Sequence, residues 1–245
     1  TPPPGRPERR RRQARVNVTA SPLSAPGGRS LGSLVVIEDV TREQRLRGTL
    51  ERYMSRDVAE RLLEEGEAAL GGRTLTATVL FSDVRDFTTL SEQLGPQGTV
   101  QLLNDCFTLL VDVLLAHHGT LDKYLGDGLM AVFGAPFSSG DDAGDALRAA
   151  VDMLRALREF NLRRAQAGLA RVQMGLGLNT GQVVSGSIGS PRRMDYTVVG
   201  DGVNLASRLE GANREYGTQL LISEFTLMEL RGSCLLREVD RLRVR

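Results

Sequence analysis

The chain has 245 residues, 41% apolar and 25% charged, with a formal net charge of +1. That near balance argues against a dedicated nucleic-acid binder, and the length allows one medium domain plus a smaller piece. Cys106 and Cys234 show neither zinc spacing nor a disulfide framework and read as buried reduced thiols. No apolar run approaches a membrane span and no signal peptide is visible.

Residues 1–15 are Pro- and Arg-rich and read as a tail in which the Arg9–Arg12 run is a solvated charge cluster. The opening TPPPGRPE suggests a fragment of a longer parent, soluble or membrane-attached, with a cytoplasmic output domain. Residues 16–40, VNVTASPLSAPGGRSLGSLVVIEDV, predict two strands around a Pro-Gly-Gly turn. The hairpin, closing on Asp39-Val40-Thr41, resembles the end of a PAS-type sensor, which implies an upstream sensor domain in the parent chain. Residues 42–66 are charged and helical in pattern, with Leu46, Leu50 and Tyr53 on one stripe and Ser55 capping a second short helix. A parallel two-chain seam suits that stripe. Gly71-Gly72 marks a boundary, so 1–41 reads as tail and sensor hairpin, 42–72 as a helical linker and 73–245 as the main domain.

Beyond the boundary, TATVLFSD (76–83) is a β-rich apolar run that stops at a carboxylate, predicting a strand over 75–82. Helices are expected near 88–94 and 98–117, with His117 and His118 as helix-end residues rather than ligands. The run LDKYLGDGLMAVFG (121–134) predicts strands 119–125 and 128–134 around a Gly-Asp-Gly turn, with Asp127 at its tip. A long helix over 141–166 opens on Asp141 and Asp142. Strands 172–180 and 182–188 follow, then a loop through Pro191, a helix over 203–215 and a terminal strand–helix–strand. This order predicts an α+β fold, a ferredoxin-like antiparallel sheet with helices on one face.

Were the runs holding Asp83 and Asp127 neighbouring strands, both carboxylates would meet at one sheet end and repel unless cations lay between them. Oxygen ligands left partly open suit two Mg²⁺ or Mn²⁺ ions together with substrate phosphates, a candidate two-metal phosphoryl-transfer site. The ordinary alternative is a turn aspartate, and Gly-Asp-Gly occurs twice, at 126–128 and 200–202. The second precedes the helical spacing of Val203, Leu205, Ala206 and Leu209, so Asp201 reads as a turn residue at a helix start. On that helix Asn204 and Arg208 are four apart and share a face.

TVLFSDVRDFTTLSE, GTLDKYLGDGLMAVFGAP and DYTVVGDGVNLASRLEGAN resemble, in order, the three signature blocks of class III nucleotide cyclase catalytic domains, over roughly residues 73 to 245. The subtype they are most similar to is the bacterial adenylyl cyclase group with Thr at the second base-reading position. The resemblance implies in-line attack of the ribose 3′-oxygen of ATP on the α-phosphorus, with expulsion of pyrophosphate. It implies metal binding by Asp83, Asp127 and the main chain of Val84, charge stabilisation by Arg208, ribose positioning by Asn204, and base reading by Lys123 and Thr197. It further implies a head-to-tail homodimer. Each site then takes Asp83 and Asp127 from one chain and Lys123, Thr197, Asn204 and Arg208 from the other. Cyclases of this subtype are often stimulated by bicarbonate.

The base assignment has its own chemistry. A lysine can only donate, which fits adenine N1, and a threonine hydroxyl can accept from the adenine amino group. Lys123 is the only lysine in a chain with 31 Lys and Arg together. Asp86 departs from the family pattern, which usually has a small residue there, and is expected to cap the following helix through the amides of Thr88 or Thr89. The chain stops at Arg245, short of a closing strand with a phosphate-facing base that Arg243 or Arg245 would approximate. Two other functions stay open: a guanylyl cyclase, disfavoured by Lys123 and Thr197, and a catalytically silent dimerising module, disfavoured because all six key side chains are in place.

Overall fold

The computed structural model describes residues 14–24, 26, 30–41, 72–190, 193–232 and 234–241. The Arg9–Arg12 run, the expected linker helices with Leu46, Leu50, Tyr53 and Ser55, and Arg243 and Arg245 lie outside the described residues. The chain divides into two compact units, Thr1–Arg52 and Tyr53–Arg245.

In the first unit, β1 (Val16–Ser24) and β2 (Ser30–Asp39) pair antiparallel, Val16 opposite Asp39, as the alternation predicts. Asp39 Oδ1 accepts from the Thr41 amide at 2.9 Å, and the Thr41 hydroxyl accepts from the Arg15 amide at 2.8 Å. The Asp-Val-Thr step thus closes the hairpin with side-chain caps.

The second unit is built on β3 (Arg73–Val84), β4 (Thr120–Leu125), β5 (Gly128–Phe133), β6 (Met174–Ser190), β7 (Arg193–Val199) and β8 (Leu220–Ile222). Their order is β4-β5-β3-β6-β7; all these pairs are antiparallel, and β8 joins β6 in parallel at Leu176–Leu178. The two strands expected at 172–180 and 182–188 are one strand. Gly181 pairs with Ala77 in the unbroken ladder between β6 and β3, so the neighbouring strand holds it extended where local sequence suggests a turn. Part of the expected loop is strand β7, and among described residues 234–241 no closing strand forms.

Helix α1 (Phe87–Ala116) breaks at Gly95, φ 65°, followed by Pro96, which divides it much as expected. The Thr99 hydroxyl donates to Gly95 O at 2.7 Å and fastens the break. By length and composition α1 could cross a membrane, contrary to the sequence expectation. Here Leu90, Leu102, Cys106, Leu110 and Leu114 pack instead into the core with α2 (Asp142–Gln166) and with Leu80, Leu129 and Phe133 of the sheet. Each such leucine contributes on the order of 1.5–3 kcal/mol. Cys106 is buried, and burial pushes its thiol up to about 11, as a reduced core thiol requires. Cys234 is exposed, which corrects its expected burial. His117 ends α1 and pairs with Asp152 at 2.9 Å.

Helix α3 (Asp201–Tyr216) takes the opposite face of the sheet, so the helices do not all share one side. A Cβ at Gly177 would collide with Ala206 O and Glu210 N, and one at Gly175 would lie 2.6 Å from Glu210 Oε1. Leu176 and Leu178, alternating with these glycines, face the α1–α2 side. The missing side chains let the helix backbone settle on the strand. Asn213 then bolts the helix down, donating to Leu176 O at 2.8 Å. The short helix α4 (Glu224–Glu229) closes the unit, with Ser223 accepting from the Thr226 amide.

Candidate active site

Asp83 ends the apolar run of β3 opposite Gly175, and Asp127 sits in the two-residue turn between β4 and β5, where Gly126 has φ 67°. β5 lies beside β3, as the carboxylate argument needs. A Cβ at Gly128 would meet Ser82 O and lie 3.1 Å from Asp83 Oδ1, so only glycine lets the turn close on the aspartate. Burial raises the Asp83 carboxyl above its usual range, and the charge of Asp127 raises it further. Arg214 and the Val84 amide, which hydrogen-bonds the carboxylate, oppose this. The charge of Asp127 is therefore felt at Asp83.

A third acid belongs to this cluster. Glu210 on the inner face of α3 is pushed up to about 7, first by burial and then by Asp83, against the pull of Arg85 and Arg214, with Asp127 adding a smaller push. Sequence reasoning missed it, because its relation to Asp83 depends on where α3 crosses β6. The glycines at 175 and 177 were the available signal. Among the described residues no three acids, histidines or cysteines form a closed metal cage. Two neighbouring carboxylates, with the charge of Asp127 felt at Asp83, that leave most of a coordination sphere to other ligands fit hard cations held jointly with phosphates.

Asn204 and Arg208 are exposed on α3. At 100° per residue they lie roughly 160–200° around the helix from Ala206, which faces the sheet. They therefore point away from this chain's own carboxylates. Asp201 is exposed in the first turn, the helix-start residue expected, where a negative charge suits the dipole.

Lys123 and Thr197 come together at a residue that sequence reasoning passed over. Asp122 Oδ2 accepts from the Thr197 hydroxyl at 2.9 Å and lies 3.2 Å from Lys123 Nζ, and its side chain is 3% exposed. Register slips between Leu121 and Lys123, leaving Asp122 as an extra residue in β4, a bulge that turns adjacent side chains toward one centre. The contact joins the two strands at the ends of the sheet order, so the sheet coils until its edges meet here. Burial raises the Asp122 carboxyl, while Thr197, Lys123 and the Val198 amide pull it back down.

Asp86 does not cap α1. It adopts the left-handed conformation, φ 54°, its side chain makes no cap bond, and its 82%-exposed carboxylate lies 3.8 Å from Arg214. A positive φ favours glycine, and aspartate is among the few other side chains that tolerate it.

Residues 72–245 match the family described as the adenylate and guanylate cyclase catalytic domain. The chain is 37% identical over 178 residues to adenylate cyclase 1 of Rhizobium meliloti (strain 1021), covering 71% of this chain and 26% of that protein. It thus spans only about a quarter of that relative's length. The solved guanylyl cyclase Cya2 superposes with TM-score 0.61 and 43% identity, over 66% of this chain and 81% of its own. The adenylyl cyclase CyaB from P. aeruginosa gives TM-score 0.61 and 35% identity, over 65% and 82%. Neighbours of both base preferences are this similar, so identity alone does not choose the nucleotide.

Proposed function

The chain belongs to the adenylate and guanylate cyclase catalytic domain family, and we propose that it converts ATP to 3′,5′-cyclic AMP and pyrophosphate. The observation that carries the choice of ATP is the convergence of Lys123 and Thr197 on Asp122. It supports reading the pair as one recognition unit, a donor for adenine N1 and an acceptor for the N6 amino group. Guanine presents the reverse pattern at both places. The guanylyl reading draws on the 43% identity to Cya2, but a lysine cannot accept the guanine N1 proton.

In this reading Asp83, Asp127 and the Val84 main chain would hold two Mg²⁺ or Mn²⁺ ions. When bound, such ions lower the pKa of the ribose 3′-hydroxyl and neutralise the triphosphate. The 3′-oxygen bonds to the α-phosphorus as the bond to the bridging α,β-oxygen breaks; the hydroxyl proton passes to solvent and the electron pair leaves with pyrophosphate. Arg208 would lie against the α-phosphoryl oxygens, where a planar permanent cation stabilises the developing charge, and Asn204 would orient the ribose. The outward aim of Asn204 and Arg208 supports a homodimer in which they serve the partner's carboxylates. Residues 1–41 and 42–72 are then the end of a PAS-like sensor and a linker, and 73–245 a cytoplasmic catalytic output.

Incubation with Mn²⁺ and either ATP or GTP, with cyclic product quantified, tests the reading. One matched buried hydrogen bond is worth about 1–3 kcal/mol, so ATP should lead roughly ten- to a hundredfold in kcat/KM, and Lys123→Glu should cripple ATP turnover. Equal kcat/KM for the two nucleotides would sink the assignment.

A further inference from the structure

A threonine hydroxyl has no fixed polarity. Its proton rotates, so Thr197 alone could accept from an amino group or donate to a carbonyl. Lys123 differs, since an ammonium donates whatever surrounds it. Discrimination at the Thr197 position therefore needs a third group to settle where that proton lies. We propose that Asp122 is the positioning residue that sets base preference, by taking the Thr197 proton and leaving only lone pairs toward the base. This rests on the adenylyl cyclase reading above.

The geometry supports it in three ways. The 2.9 Å bond runs from the Thr197 hydroxyl to a carboxylate oxygen, an acceptor when ionised. The bulge in β4 puts the Asp122 and Lys123 side chains at one centre, where a regular strand would send neighbours to opposite faces. The Val198 amide also hydrogen-bonds the carboxylate, so Asp122 grips β7 through both a side chain and the main chain. With its proton committed, Thr197 accepts from adenine N6 and opposes guanine O6 lone pair to lone pair. Without Asp122 it could turn and donate to O6.

The test is the ratio of kcat/KM for ATP to that for GTP, measured on the full chain. Asp122→Ala should lower the ratio about tenfold, the worth of one directed hydrogen bond. Asp122→Asn offers one acceptor and one donor in place of two acceptors and should fall between. In a Thr197→Val background neither change should move the ratio by more than about twofold, because no hydroxyl remains to direct. A structural role alone would lower both nucleotides together and leave the ratio still. The proposal is overturned by an unchanged ratio in Asp122→Ala, or by an equal shift with and without the Thr197 hydroxyl. Should Asp122→Ala not fold, Asp122→Asn and its double variant are judged by the same two criteria. A wild-type chain without ATP preference refutes the base reading itself, whereas an ATP preference left undiminished in Asp122→Ala refutes only this proposal.

Discussion

The sheet carries two polar centres of opposite character. At the Asp83–Asp127 end, acids outnumber what the nearby arginines balance, and burial holds both Asp83 and Glu210 above their usual pKa ranges, helped by the charge of Asp127 at Asp83 and of Asp83 at Glu210. At the Asp122 corner a buried carboxylate meets a hydroxyl, an amide and an ammonium, and its demands are met within the chain. On the proposed reading the first centre is completed by cations, whereas the second is organised beforehand. Catalysis and recognition, on that reading, have separate electrostatic designs.

The largest break in that comparison comes from removing a carboxylate at the incomplete centre. Asp83→Ala or Asp127→Ala should lower kcat by several orders of magnitude with folding and dimerisation intact, and EDTA should abolish wild-type activity until Mg²⁺ or Mn²⁺ is restored. A single variant keeping more than a few per cent of activity at saturating metal ends the two-ion reading.

Mixing two dead chains sharpens the comparison next. Asp83→Ala and Arg208→Ala, exchanged at random into heterodimers, should recover about a quarter of wild-type activity: half the dimers are mixed and each has one intact site of two. No recovery, with exchange confirmed by labelled subunits, would place the whole site in one chain.

The smallest effect is on stability. In EDTA, Tm should fall as pH rises from about 5 to about 8. Glu210, raised to about 7, stays protonated in the folded chain where the unfolded chain has released the proton. Its contribution is full below the ordinary glutamate value and lost as pH passes about 7; Asp83 adds the same sign. Glu210→Gln should flatten the slope in thermal melts, and an unaltered slope means another group controls it.

Much of this was legible in the chain. An apolar run halted by Asp83, a turn centred on Asp127 and the four-residue step from Asn204 to Arg208 each follow from local pattern. Gly181 was misread because a glycine between polar residues looks like a turn until a twelve-residue partner strand holds it extended. Asp86 was read by its capping chemistry, whereas its backbone conformation decides its place. Asp122 and Glu210 escaped for a shared reason. One depends on a strand bulge and the other on where a helix crosses a strand, and neither is a property of spacing along one segment.

The bare seat at Gly175 and Gly177 has a genetic corollary. Those glycines and Asn213 fix the roll of α3, and the roll alone decides where Asn204 and Arg208 aim. In a dimer that shares its sites, a substitution at Gly177 would turn those side chains out of the partner's catalytic centre. The lesion would act in trans, so a mutant subunit co-expressed with a normal one would impair the site built on the normal subunit's own aspartates.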